Sequence, residues 1–222
     1  MKAIFLGSIG TLADTSALQL KSFNLAFKKH GLEWLWSPTE YTEMLKIAGG
    51  AKRIKRYASQ RGEEVAANCI HHTKTRIFQN ILSTEPVSIR SGINAVINLS
   101  RDRGLQLALV TTTSRSNVNE ILSAICISPD QFDVIISNEM VKHEKPKPDS
   151  YNLALKKLEL LPNEVVAIED NIDGLTAAIS AKLKCLAFPG SMQSKAIFRD
   201  KTMCTDEVFK SVSDILDGRL AA

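Results

Sequence analysis

Glu169 and Asp170 follow directly on the apolar run 165–168, so two adjacent carboxylates leave what reads as a buried strand. Paired hard oxygens at such a point suit a cation such as magnesium, provided other oxygens complete the shell. The alternative is that Asp170 caps the helix that follows. Lys145 stands at the head of Lys145-Pro146-Lys147-Pro148-Asp149, where two prolines fix the backbone and can hold an ammonium in place. Thr111-Thr112-Thr113-Ser114 closes another apolar run; its hydroxyls and amides could cradle a phosphate, or Thr113 or Ser114 could simply cap a helix. Gly49-Gly50 with Arg53 offers a flexible turn that exposes amides beside a bidentate guanidinium. A turn between helices with solvated basic residues is the plainer reading of that stretch.

The elements that would position these groups are short apolar runs at 3–6, 105–111, 134–136, 165–168 and 185–188. Between the later ones lie amphipathic, helix-length segments at 117–124, 150–158 and 174–181. Strand and helix in alternation imply an α/β fold, a Rossmann-like parallel sheet with helices on both faces. Ligands in such a sheet sit at the carboxyl ends of the strands, where all the singled-out residues of these runs fall.

Residues 16–88 interrupt the alternation without a convincing strand. Leu20, Phe23 and Phe27 share one helical face, and Ala66, Ile70, Ile77 and Ile81 another. Ser37-Pro38 reads as a helix start and Gly49-Gly50 as a break between helices. The spacing therefore divides the chain into an α/β core, 1–15 with 89–222, and a helical domain, 16–88, joined by passages near 13–16 and 86–92. Trp34 and Trp36 are expected to pack the core of that small domain rather than line a pocket.

The 222 residues are enough for a substantial core, and 44% hydrophobic with 23% charged content is ordinary for a globular protein. No apolar stretch approaches the ~20 residues of a bilayer span. With no charged leader or cleavage site in view, a cytoplasmic location and no membrane partner are expected. Cys69, Cys126, Cys185 and Cys204 are isolated, so free structural thiols are expected. The net charge of +4 is concentrated at Lys52-Arg53-Lys55-Arg56 and across 142–147, which suits an anionic small molecule or a merely solvated surface. No aromatic interleaving or binding motif supports nucleic acid as a partner.

Ala3–Leu6 followed by Gly10-Thr11-Leu12, with Thr111, Lys145 and Glu169-Asp170 in that order, resembles the haloacid dehalogenase superfamily. The resemblance extends over nearly the whole chain. It implies phosphoryl-transfer chemistry, with Thr111 and Thr112 binding the phosphoryl group, Lys145 neutralising it and Asp170 with Glu169 holding magnesium. A helical insert after the first motif matches the cap type of the β-phosphoglucomutase and phosphoglycolate phosphatase group. Phe23-Asn24, Gly31-Leu32-Glu33-Trp34, Trp36, Tyr41, Leu45-Lys46, Gly49-Gly50, Arg53 and Lys74-Thr75 look like the CbbY-type branch of pentulose-bisphosphate phosphatases. That likeness nominates Lys46, Gly49, Gly50, Arg53 and Lys74 as the grip on a phosphate that is not transferred.

The first motif of the superfamily is Asp-x-Asp-Gly-Thr-Leu, and here Gly7 and Ile9 stand where its two aspartates would be. Gly7 has no carboxylate to attack phosphorus or bind metal, and Ile9 cannot transfer a proton. The resemblance thus implies a protein that handles a small phosphorylated sugar or other anionic metabolite, degenerate in catalysis, with magnesium occupancy reduced. Two other readings are a weak or altered magnesium-dependent phosphatase using Ser8 or water, and a protein-interaction module with a protein partner. Ser8 lies one residue from Gly7, so strand alternation directs it to the opposite face unless the turn brings it back.

Overall fold

A computed structural model describes residues 1–45 and 49–220. Lys46, nominated above, lies outside the described residues. By its internal contacts the chain forms two compact units, Met1–Asp14 with Val87–Ala222, and Thr15–Pro86.

The first unit is built on a five-stranded parallel sheet in the order β3-β2-β1-β4-β5. Its strands are β1 (Ala3–Leu6), β2 (Gln106–Val110), β3 (Val134–Ile136), β4 (Val165–Glu169) and β5 (Lys184–Ala187). The helices are α1 (Ile9–Leu12), α6 (Ile93–Asp102), α7 (Arg115–Ala124), α8 (Asp149–Leu158), α9 (Ile172–Ser180), α10 (Ala196–Arg199) and α11 (Val208–Leu216). Between α1 and α6 the second unit contributes α2 (Ser16–Lys29), α3 (Pro38–Met44), α4 (Gly50–Gln60) and α5 (Ala67–Thr84). The first strand is central, and every residue of Ala3–Leu6 is fully buried. A strand covered on both faces must be apolar throughout, which explains its unbroken Ala-Ile-Phe-Leu.

Local signals act as their chemistry dictates. The Ser114 side chain accepts from the Asn117 amide and caps α7. Ser37 and Glu40 form a reciprocal capping box at α3, with Pro38 in its first turn. The cap of α9 is Asn171, which accepts from the Gly174 amide, and not Asp170. Asp170 is thereby left free of capping duty.

In the second unit α2 packs on α5. Trp34 and Trp36 are buried in an aromatic cluster with Phe23, Phe27, Tyr41 and Tyr57. The inner face of α5 differs from the expected one. It runs through Ile70, Lys74, Phe78 and Ile81, while Ile77 is only half-buried and Ala66 is exposed. The apolar stripe is completed by Phe78 instead of Ile77, and a lysine sits in the middle of it. The cysteines are isolated thiols, with Cys185 buried and Cys69 and Cys126 exposed. No described helix is long and apolar enough to cross a membrane.

Candidate functional site

Parallel pairing sets Leu6 beside Leu109 on one side and Ile168 on the other. One step further along, Gly7, Val110 and Glu169 come together at the carboxyl edge of the sheet. Lys145 reaches this point from the loop ahead of α8. Its Nζ donates to the Gly7 carbonyl, to Val110 O at 2.7 Å and to Glu169 Oε1 at 2.6 Å, with Tyr151 Oη at 3.4 Å. The Tyr151 hydroxyl donates to the same Oε1 at 2.6 Å. Lys145 and Glu169 are buried, the latter completely. Burial pushes the Glu169 carboxyl above its ordinary value, against the pull of Lys145. Tyr151 is raised well above the ordinary phenol range, first by burial and then by Glu169.

This carboxylate fills the space in front of two glycines. A Cβ on Gly7 would lie 2.2 Å from Glu169 Cδ and 2.4 Å from Tyr151 Oη, and one on Gly174 would lie 2.1 Å from Glu169 Cδ. The site accepts the Glu169 side chain because neither neighbour carries a side chain of its own.

Glu169 and Asp170 do not converge. Glu169 is the last residue of β4, held in register with Ala187, and successive residues on a strand face opposite ways. Asp170 turns instead to Ser8, whose Oγ donates to Asp170 Oδ1 at 2.5 Å. Asn171 Nδ2 donates to the same oxygen at 2.7 Å. A Cβ on Gly10 would stand 2.0 Å from Asp170 Oδ2, so Gly10 makes room for this carboxylate. Ser8 also caps α1, accepting from Thr11 N at 3.1 Å. Ser8 thus contacts Asp170 and Thr11, its Oγ also lying 3.3 Å from the Thr11 hydroxyl, while Glu169 and Tyr151 occupy the space in front of Gly7.

Magnesium needs several oxygens and retains much of its water. Here Glu169 is ion-paired to Lys145, sealed from solvent, and separated from Asp170 by strand alternation. Among the described residues its Oε2 has no hydrogen-bond donor, yet it is walled in against Gly174. Among the described residues no three His, Cys, Asp or Glu side chains gather as a metal site. The donors present do not fit the magnesium expected from the resemblance.

Thr111 leaves β2 next to Val110 and is buried, with its Oγ1 accepting from the Thr113 amide at 3.2 Å. Thr112 is half-buried in the same turn.

Within the second unit Arg53 and Lys74 both lie over the Phe23 ring. Lys74 is buried, its Nζ donates to Gln19 Oε1, and it lies 4.9 Å from the centroids of both Phe23 and Phe78. Arg53 lies over Tyr41 at 5.4 Å and Phe23 at 5.9 Å, and its Nε donates to Met44 O at 3.2 Å. A Cβ on Gly50 would meet His71 Nε2 at 2.3 Å, so glycine permits the imidazole to approach the start of α4. Gly49 has φ 98°, a conformation open chiefly to glycine. Burial first, then the Arg53 charge, lowers Lys74 to about 7. His71 is lowered to about 4, mainly by burial and then by Lys74 and Arg53.

Sequence reasoning missed Tyr151, Gln19, His71 and Arg90. Gln19 and His71 lie four and three residues from Phe23 and Lys74, helical spacings that put each on its neighbour's face. Arg90 Nη1 donates to Gly10 O at 2.9 Å and Phe188 O at 2.7 Å, and Nη2 to Pro189 O at 2.6 Å. Nothing in its loop sequence announces that.

The sequence profile of haloacid dehalogenase-like hydrolases matches residues 10–188. The chain belongs to that family. Protein CbbY of Cereibacter sphaeroides is 38% identical over 195 residues, which is 86% of this chain and 85% of that protein. The crystal structure of CbbY from Rhodobacter sphaeroides in complex with phosphate has a TM-score of 0.83 at 33% identity, covering 95% of this chain and 96% of that one. A variant of the same protein in complex with xylulose-(1,5)bisphosphate superposes with a TM-score of 0.84 at the same identity and coverage. The parallel sheet of this family member is thus that of the CbbY-like haloacid dehalogenase hydrolases.

Proposed function

We propose that this CbbY-like protein binds a small phosphorylated sugar without forming an aspartyl-phosphate intermediate. Gly7 and Ile9 stand in for both aspartates of the family's first motif, so the site lacks its nucleophile and its acid/base. Thr111 and Thr112 offer the phosphate-binding edge of the α/β domain, and Lys145 would join them only by leaving its pair with Glu169. The helical unit is its cap domain, and Lys74, Arg53 and the Gly49-Gly50 turn are its grip on a second anionic group.

The observation that carries this reading is the placement of Glu169. Its carboxylate lies where a residue-7 side chain would stand and neutralises Lys145 from within. A site rebuilt around a missing carboxylate is not one waiting for it. Loss of a nucleophile that works with its partners costs on the order of 10^6 in rate in a dissected protease triad. The relatives' complexes with phosphate and xylulose-(1,5)bisphosphate support the ligand class.

The test is calorimetric titration with sugar mono- and bisphosphates, xylulose-1,5-bisphosphate included, alongside a phosphate-release assay. Binding that Lys74→Met weakens, without steady release above an Asp170→Asn control, is the expected result. Multiple turnovers abolished by Asp170→Asn would overturn the degenerate reading in favour of an altered phosphatase. No binding by any member of the panel would overturn the ligand class.

A further inference from the structure

We propose that Glu139 is a positioning residue for the Thr111–Ser114 turn, fixing the shape in which that turn meets a phosphate. This rests on the reading that phosphate binds at the turn, and it adds a residue outside the turn that holds it.

The turn leaves β2, and residues 137–140 leave the neighbouring strand β3. Three bonds tie the first to β3 and its exit. Thr111 N donates to Ile136 O at 2.9 Å, and Asn138 N donates to Thr113 O at 3.1 Å. The third uses a side chain: the Arg115 amide donates to the Glu139 carboxylate, at 3.0 Å to Oε1 and 3.3 Å to Oε2. Arg115 directly follows Ser114, so this bond pins the far end of the turn.

A carboxylate is favourable at a helix N-terminus, but α7 has no acidic residue in its own first turn. Glu139 brings one from 24 positions away, to a helix that Ser114 already caps. Glu139 is exposed, yet the Ser137 hydroxyl first, and then backbone amides that include Arg115's, hold its carboxyl below the ordinary range. Its acceptor oxygens are therefore in place at neutral pH. Within the turn the Thr113 amide is spent on Thr111 Oγ1, while the Thr112 amide has no partner among the described residues. With both ends of the turn fixed, a phosphate meets that amide without first having to order it.

The experiment is a titration with inorganic phosphate followed by 31P NMR, with amide hydrogen exchange across residues 111–115 in the ligand-free protein. Glu139→Gln and Glu139→Ala both remove the charge, but only glutamine keeps an oxygen for the Arg115 amide. Glu139→Gln should bind phosphate at least as tightly as the parent, because a like charge near the anion is gone. Glu139→Ala should bind about fivefold more weakly than Glu139→Gln, the scale of one hydrogen bond, and exchange its turn amides faster. A role in stability alone would shift the melting temperature and leave the two variants with equal affinity. Equal affinity, or unchanged exchange in Glu139→Ala, would overturn the proposal. Faster exchange in Glu139→Ala from a parent that binds no phosphate would uphold Glu139 as the residue that fixes the turn and sink the phosphate reading.

Discussion

The Cδ atom of Glu169 lies 2.2 Å from the point where a Cβ on Gly7 would stand, so the two positions exclude one another's side chains. One residue further along both strands, Ser8 and Asp170 attract where Gly7 and Glu169 exclude. The parallel register that places β1 beside β4 produces both relationships at once.

Gly7→Ala is therefore expected to destabilise the fold, because its methyl meets a completely buried carboxyl and the Tyr151 hydroxyl. Overpacking of this kind costs about 1–3 kcal/mol, which urea denaturation will measure. Gly7→Asp with Ile9→Asp adds two carboxylates to the edge and is expected to displace Glu169. Magnesium titration should give a thermal shift in that double variant and none in the parent.

Lys145 and Glu169 form a buried pair whose halves depend on each other. Lys145→Met alone leaves a buried carboxylate and should cost about 3–5 kcal/mol. Combining it with Glu169→Met should recover most of that loss, since neither charge then remains unpaired. Denaturation of the two single variants and the double one closes the cycle; a strictly additive result would show that the pair does not couple.

Stability should depend on pH through the second unit. Lys74 takes up its proton near 10.5 when unfolded but only at about 7 when folded, so the unfolded chain holds more protons between those values. Stability from this group is present above 10.5 and is lost as pH falls to about 7. His71 acts in the same sense between 6.5 and about 4. Lys74→Met should flatten the slope of stability between pH 7 and 9 and raise stability at pH 7. Because an anion favours the charged amine, ligand affinity in the parent should rise as pH falls from 9 to 6.

Arg90 joins the turn after β1 to the segment after β5 through three carbonyls. Arg90→Lys retains the charge but not the planar fork, and should cost about 1–3 kcal/mol for the acceptors left unmade. A thermal melt that matches wild type would show that water replaces the guanidinium freely.

Much of this was written in the chain itself. Short unbroken apolar runs such as Ala3–Leu6, set off by turn residues, suit strands covered on both faces, and Ser37 and Ser114 start helices because their side chains satisfy free amides. Local chemistry and periodicity carry such information, since each depends on residues within a turn or two. The identity of Gly7 and Ile9 was equally plain. What they mean for the site was not. Adjacency in sequence made Glu169 and Asp170 look like one pair of ligands, while alternation on β4 sends one to Lys145 and the other to Ser8. Likewise, only the packing of α5 against α2 places Lys74 on a buried stripe, where burial lowers its proton affinity. Strand register and burial are set by residues well beyond a helical turn, 162 positions apart for Ser8 and Asp170 and 55 for Gln19 and Lys74, so the tertiary structure alone decides which charges meet.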